Sequence, residues 1–357
     1  MRRPPWERRG LARVSAMETT MKNESLYSFL EKWAGQDSLK RDVAATVHAL
    51  ADAGRDISAL VSDGPLAGEL AAAMTENVQG EVQKFLDVHS NDLLVEACRR
   101  APVAAIASEE LDHPVALHHD GTMLVAVDPL DGSSNIDTNV SIGTIFSILR
   151  APDHVDAHTH DAFLQKGRDQ LAAGYILYGP QTTLVMTLGK GTQMFTLDRR
   201  RGAFILTSRS MKIPEKTKEF AINSSNRRHW NEPTRRYIDE CVRGKEGKRG
   251  EDTNMRWVGS LVADGHRILV RGGVYLYPAD KRKAYAEGRL RLIYESNPIG
   301  WVVEQAGGRV TTGEENLLDL EPSVLHQRIP FIFGSRHEVE RIESHHLFAE
   351  DEAEAAE

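Results

Sequence analysis

Val43, Val47, Leu50, Ala53, Ile57 and Leu60 recur three or four residues apart, and this stripe predicts one long amphipathic helix over 39–62 with its apolar face on the core. Further helices are predicted over 65–77 and 90–100, the second opened by Ser90, Asn91 and Asp92, which have N-cap chemistry. After residue 100 the apolar pattern shortens. The run 103–107 ends in Ser108-Glu109-Glu110 and the run 123–127 ends in Asp128, as expected of buried strands that terminate in carboxylates. Runs at 142–150, 172–178, 183–188, 193–197 and 203–208, separated by glycine-containing turns at 189–191 and 199–202, predict an antiparallel sheet. The polar stretch 151–167 reads as a surface loop with solvated histidines, His154, His158 and His160.

The second half repeats the alternation. Strands are predicted over 220–223, 290–295 and 329–333, and helices over 232–242, 259–271 and 298–306, the last stopped by Gly307-Gly308. Ser335 and Glu338 form the pattern of a capping box for a final helix. The polar 214–218 marks a junction. The expected division is an N-terminal extension (1–25), two subdomains (26–210 and 211–345) and an acidic tail (346–357) expected to fray. The Arg-rich start, through Met17, lacks the apolar stretch of a secretory signal, which leaves a disordered tail, an organelle presequence or a start upstream of Met17 or Met21.

Composition narrows the class. The 357 residues are 41% hydrophobic and 27% charged, ordinary for a globular chain. A net charge of −8 argues against a nucleic-acid surface while permitting a local basic pocket. Cys98 and Cys241 are the only cysteines and form no CxxC pair, so a disulfide framework or thiolate metal site is not expected and a reducing, cytoplasmic setting is. No apolar run has the length of a membrane span, so no membrane partner is expected.

The stretch from Val127 to Asp137 carries the chemistry. Asp128 and Asp131 bracket Pro129 and Leu130, and Gly132, Ser133 and Ser134 follow. Proline stiffens such a turn and glycine lets it tighten, so two carboxylates converge beside serine hydroxyls and consecutive N–H groups that suit a phosphate. The motif alone also suits a purely structural turn. Glu109 and Glu110 add adjacent carboxylates that repel unless a cation or solvent separates them. Asp92 and Glu295 are further acids at predicted element ends. Oxygen-only ligands favour Mg²⁺, with Mn²⁺ as an alternative, and acids gathered around paired cations are what in-line attack of water on a phosphate requires.

These segments resemble class I fructose-1,6-bisphosphatases. The likeness runs through 86–92, 108–110, 127–137, 139–148, 171–179, 257–267, 272–280 and 290–298 in order, and covers most of 27–345. It implies an α/β fold, a layered α+β sandwich of the sugar-phosphatase type with two sheets interleaved with helix layers. It implies a metal/phosphate-binding subdomain over 26–210 and a sugar-phosphate-binding one over 211–345. The family's metal positions map onto Glu109, Glu110, Asp128, the Leu130 carbonyl, Asp131 and Glu295. Asp92 and Glu110 map onto the pair that orients and deprotonates the attacking water, and Gly132, Ser133 and Ser134 onto the cradle of the 1-phosphate. Asn226, Arg256, Tyr277 and Arg291 map onto the sugar and 6-phosphate side. The resemblance also implies a homotetramer in which Arg256 reaches a neighbouring site.

This chain departs from the family on the leaving-group side. Trp257 and His229 stand where the family has tyrosines, and Arg289 stands for a lysine that contacts the sugar phosphate. Those changes bear on the choice of sugar, so sedoheptulose 1,7-bisphosphate is a second candidate substrate. A sugar- or inositol-phosphate monoesterase is disfavoured by Arg256, Tyr277 and Arg291, and a non-catalytic sugar-phosphate sensor by the intact acids. Thr122-Met123 replace the Lys-Tyr pair of the family's AMP site, so weak or absent AMP inhibition is expected.

Overall fold

The computed structural model describes residues 24–64, 78–153 and 156–354, without side chains for 78–84 and 348–354. The helix expected over 65–77, the extension 1–23 and His154 lie outside the described residues.

Three helices open the chain: α1 (Leu26–Ala34), α2 (Ser38–Asp63) and α3 (Val78–Cys98). The stripe from Val43 to Ile57 is buried as the periodicity predicts. An eight-stranded sheet follows, made of β1 (Val103–Ser108), β2 (Val115–Ala116), β3 (Met123–Asp131), β4 (Ile142–Arg150), β5 (Ala172–Tyr178), β6 (Thr182–Thr187), β7 (Thr192–Asp198) and β8 (Ala203–Ser208). Its order is β2-β1-β3-β4-β5-β6-β7-β8, antiparallel throughout except for the parallel pair β1–β3.

The second half supplies β9 (Glu219–Ala221), α4 (Glu232–Arg243), β10 (Asn254–Met255), α5 (Leu261–Arg271), β11 (Val274–Tyr277), β12 (Leu290–Arg291), α6 (Asn297–Gln305), β13 (Arg309–Thr311), β14 (Arg328–Ile329), β15 (Phe331–Gly334) and α7 (Arg336–Glu354). Five of its strands form a sheet ordered β10-β9-β11-β15-β13, and β12 pairs with β14.

Strand alternation explains the layering. On β5, Ala172 and Ile176 pack under α1–α3, whereas Ala173, Tyr175 and Leu177 pack against α5, α6 and the second sheet. On β11, Tyr275 faces that same shared core while Val274 and Leu276 face α4 and α7. The result is helix, sheet, helix, sheet, helix: the mixed α/β layering of two interleaved sheets that was expected.

Several local expectations fail for identifiable reasons. Ser90, Asn91 and Asp92 do not cap a helix. They lie inside α3, with Ser90 and Asn91 buried. The strand expected over 290–295 ends at Arg291, and Leu292–Ser296 form a π-helical turn leading into α6. The strand over 329–333 is split at Pro330, which has no N–H for a ladder. The capping box is not made: Ser335 Oγ accepts the Gly273 N–H at 3.2 Å, while Glu338 accepts from the Tyr237 hydroxyl at 2.7 Å and pairs with Arg249. The tail stays helical as far as Glu354. In the loop 151–167, Phe163 is buried and His160 contacts His113 at 2.8 Å, so this segment is anchored rather than fully solvated.

Candidate active site

Parallel pairing of β1 and β3 aligns their carboxyl ends, with Ser108 opposite Val127. The next residues, Glu109 and Asp128, therefore emerge side by side. Carboxyl ends of adjacent parallel strands are where α/β sheets place ligands. The Glu109 N–H continues the ladder to the Val127 carbonyl at 3.0 Å.

Beyond Asp128 the β3–β4 register shifts until Asp131 stands opposite Gly143. Thr144 Oγ1 donates to the Pro129 carbonyl at 2.8 Å and so braces this bulge. Inside it, the Leu130 N–H donates to Asp128 Oδ1 at 3.0 Å. Asp131 Oδ2 accepts from the Val262 N–H at 2.9 Å and from Ser260 Oγ at 3.2 Å, at the start of α5. Gly132 has φ +76°, and a Cβ there would fall 2.9 Å from Ser260 Cβ, so both conformation and space demand glycine. Ser133–Thr138 form a short 3-10 helix just after it, with Ser134 exposed.

Glu295 arrives from the π-helical turn, a distortion that often marks functional sites. One carboxylate oxygen from each of Glu109, Asp128 and Glu295 lies within 4.8 Å of the others. Burial, reinforced by the charge of Glu109, holds Asp128 and Glu295 well above the ordinary carboxylate range. Burial also raises Asp131, against its bonds from Val262 and Ser260. Buried carboxylates crowded in this way are a site that a divalent cation would relieve, and all the donors are hard oxygens.

Glu110 follows on the same loop. Burial and then the charge of Glu109 raise its pKa. Asp87 on α3 lies near enough for the charge of Glu110 to act on it. Burial, with the charge of Glu110 next, pushes Asp87 up to about 6, and a hydrogen bond with Ser133 opposes that rise. Asp92, paired with Glu110 in the sequence reading, is exposed instead. Five helical residues rotate a side chain by roughly 140° beyond one turn, so Asp87 and Asp92 cannot share a face. Sequence reasoning passed over Asp87, although it stands, half-buried, on one helical stripe with the buried Ser90, Asn91 and Leu94.

The expected sugar side forms a second group. Arg289 Nη1 donates to the Tyr277 hydroxyl at 2.9 Å, and Asn226 Oδ1 accepts from Arg282 at 3.1 Å. Trp257 stacks on Tyr275 with centroids 5.6 Å apart. Asp264, fully buried, accepts the N–H groups of Val258 and Gly259 and so shapes the loop after Trp257. Arg256 is exposed, 3.7 Å from Glu219. Arg291 joins the two groups: its Nε approaches Glu109 at 3.4 Å and its Nη1 the His326 carbonyl at 3.3 Å. Both cysteines are buried and unbonded to each other. No helix among the described residues is long and apolar enough to cross a membrane.

Comparison with known proteins identifies the family. Residues 28–209 match the family described as fructose-1-6-bisphosphatase, N-terminal domain, and residues 213–347 match its C-terminal domain. The chain is 56% identical over 330 residues to a fructose-1,6-bisphosphatase class 1 of Azorhizobium caulinodans, covering 91% of this chain and all of that one. It is 53% identical over 318 residues to a fructose-1,6-bisphosphatase class 1 of Xanthobacter autotrophicus, covering 89% of this chain and 85% of that one. The crystal structure of Leishmania major fructose-1,6-bisphosphatase in holo form superposes with a TM-score of 0.81 at 33% identity, covering 91% of this chain and 99% of that one.

Proposed function

Because the chain belongs to the class 1 fructose-1,6-bisphosphatase family, we propose that it hydrolyses the 1-phosphate of fructose 1,6-bisphosphate, giving fructose 6-phosphate and phosphate. The observation that carries this reading is the convergence of Glu109, Asp128 and Glu295 from three separate elements beside the Gly132–Ser134 turn.

Glu109, Asp128 and Glu295, with Asp131, Glu110 and the Leu130 carbonyl, are the groups that would hold divalent cations. All are hard oxygen donors, which favours Mg²⁺ and admits Mn²⁺. Bound there, the cations supply acidification of the attacking water and neutralisation of charge on the phosphoryl and leaving oxygens.

The chain's own residues do the rest. Glu110, its pKa raised by burial and the charge of Glu109, takes the proton of the attacking water. In this reading Asp87, rather than Asp92, is its partner: the charge of Glu110 acts on it and it bonds Ser133, so it links the water side to the phosphate side. Gly132, Ser133 and Ser134 receive the 1-phosphate on N–H groups and hydroxyls. Asn226, Trp257, Tyr277, Arg289 and Arg291 hold the sugar and its distal phosphate. Arg256, exposed and only loosely paired, is free to reach a neighbouring subunit in a cytoplasmic homotetramer.

The direct test is phosphate release. Purified protein given fructose 1,6-bisphosphate should release one phosphate per sugar with Mg²⁺ and none after chelation. Protein that stays inactive across Mg²⁺ and Mn²⁺ concentrations would remove the assignment.

A further inference from the structure

Two guanidinium groups, from Arg282 and Arg289, lie over the Tyr285 ring and stack on it beside Asn226 and Tyr277. Arg289 lies over the Tyr285 ring with Cζ 3.6 Å from its centroid, and Arg282 lies over it at 4.5 Å. Arg289 also donates to the Tyr277 hydroxyl, and its Nε is buried without a partner. No carboxylate pairs with Arg289 among the described residues. Arg282, in contrast, is locked by Asp280, whose side chain is 6% exposed: Nε donates to both carboxylate oxygens at 3.0 and 3.1 Å, and the backbone N–H donates at 3.0 Å. Its Nη2 reaches Asn226 Oδ1 at 3.1 Å.

The segment that carries the stack is fixed at both ends. The Asp280 N–H donates to the Tyr285 carbonyl at 3.1 Å and the Tyr285 N–H to the Arg282 carbonyl at 2.8 Å. Gly288, at φ +87°, passes so close to Ile329 that a Cβ would fall 2.2 Å from its backbone.

A guanidinium has only donors, so Arg282 obliges Asn226 to turn its oxygen inward and its Nδ2 donor outward. Tyr285, with both cations over its ring, sets the plane of Arg289, a fork that no acid compensates among the described residues. We propose that Arg282 and Tyr285 are specificity-determining positioning residues that prepare Asn226 and Arg289 to receive the distal phosphate of a sugar bisphosphate. The inference rests on the activity proposed above. A charge-assisted, forked contact of this kind favours a dianionic phosphate over a hydroxyl.

The test compares fructose 1,6-bisphosphate with fructose 1-phosphate in wild type, R282M, Y285L and Y285F. In R282M and Y285L the KM for the bisphosphate should rise about tenfold or more with kcat changed far less, so the preference for the bisphosphate over fructose 1-phosphate shrinks by the same factor. Y285F, which keeps the ring, should restore most of that preference. Equal losses on both sugars would mark a merely structural role and overturn the inference. Calorimetric binding of fructose 6-phosphate separates this from failure of the activity itself. If wild type turns over neither sugar, the hydrolytic reading falls, while about tenfold weaker fructose 6-phosphate binding in R282M still supports the receptor, and equal affinity overturns it.

Discussion

The backbone N–H of Val262 donates to Asp131 Oδ2 at 2.9 Å, across 131 residues of sequence. One oxygen of the acid is thereby held at the start of α5, and the carboxylate is oriented by the second half of the chain. Asp131→Ala should raise the half-saturating Mg²⁺ concentration for turnover by about tenfold or more, the usual scale for losing a metal-site group. Ser260→Ala, which removes only the weaker donor, should shift it less. Mg²⁺ titrations of initial rate decide this, and unchanged half-saturation in Asp131→Ala would contradict the assignment.

Glu110→Gln and Asp87→Asn should each lower kcat by about a hundredfold or more, the lower end of what a proton-transfer group contributes, while substrate binding survives. Asp92→Asn should leave kcat near wild type, because Asp92 is exposed on another face of α3. Steady-state kinetics on the three variants would reverse the choice between Asp87 and Asp92 if Asp92→Asn alone lost turnover.

Stability should fall with rising pH once divalent ions are chelated. Asp131 is raised to about 7 and Asp87 to about 6, both chiefly by burial, from an unfolded value near 3.8. Between about pH 4 and 7 the folded protein keeps protons that the unfolded chain has released, so ionisation works against folding as pH rises through that window. Tm in chelator should therefore be lower at pH 8 than at pH 6. Mg²⁺ should raise Tm more at pH 8, where it no longer competes with protons. Thermal melts in matched buffers measure both, and a Tm in chelator that increases from pH 6 to 8 would refute the linkage.

Arg249 is buried against Glu338, with its guanidinium over the Tyr237 ring. Arg249→Ala leaves Glu338 buried without its cation, a loss expected to cost about 3–5 kcal/mol. Denaturant unfolding curves should show the shift, and a change within error would mean that Glu338 finds another partner.

Arg256→Ala should reduce activity without unfolding the protein. If Arg256 serves a neighbouring subunit, co-expression with Glu110→Gln should produce mixed oligomers that recover part of the lost turnover. Activity equal to the simple average of the two parents would argue that each site uses its own Arg256.

Much of the chemistry was written locally. Glu109 at the end of one apolar run and Asp128 at the end of another were legible as strand-end carboxylates, and Gly132 as a forced tight turn. The Val43–Ile57 stripe was legible because a helix period needs only neighbours along the chain. Where expectations failed, the competing partner was remote. Ser335 and Glu338 have the spacing of a cap, yet Gly273 takes one and Tyr237 with Arg249 the other. The strand predicted through Glu295 bends into a π-helical turn against β3 and β4.

From residues in order alone came the kinds of element, their succession, and the conclusion that acids and serines were gathered for metal-assisted phosphate chemistry. Period and side-chain chemistry are local properties, and they survive without a fold. Only the folded arrangement half-buried Asp87 and exposed Asp92, turned Asn226 toward Arg282 and tied Asp131 to α5. Each of those outcomes depends on the rotation of one element against another, and packing across the core sets that rotation.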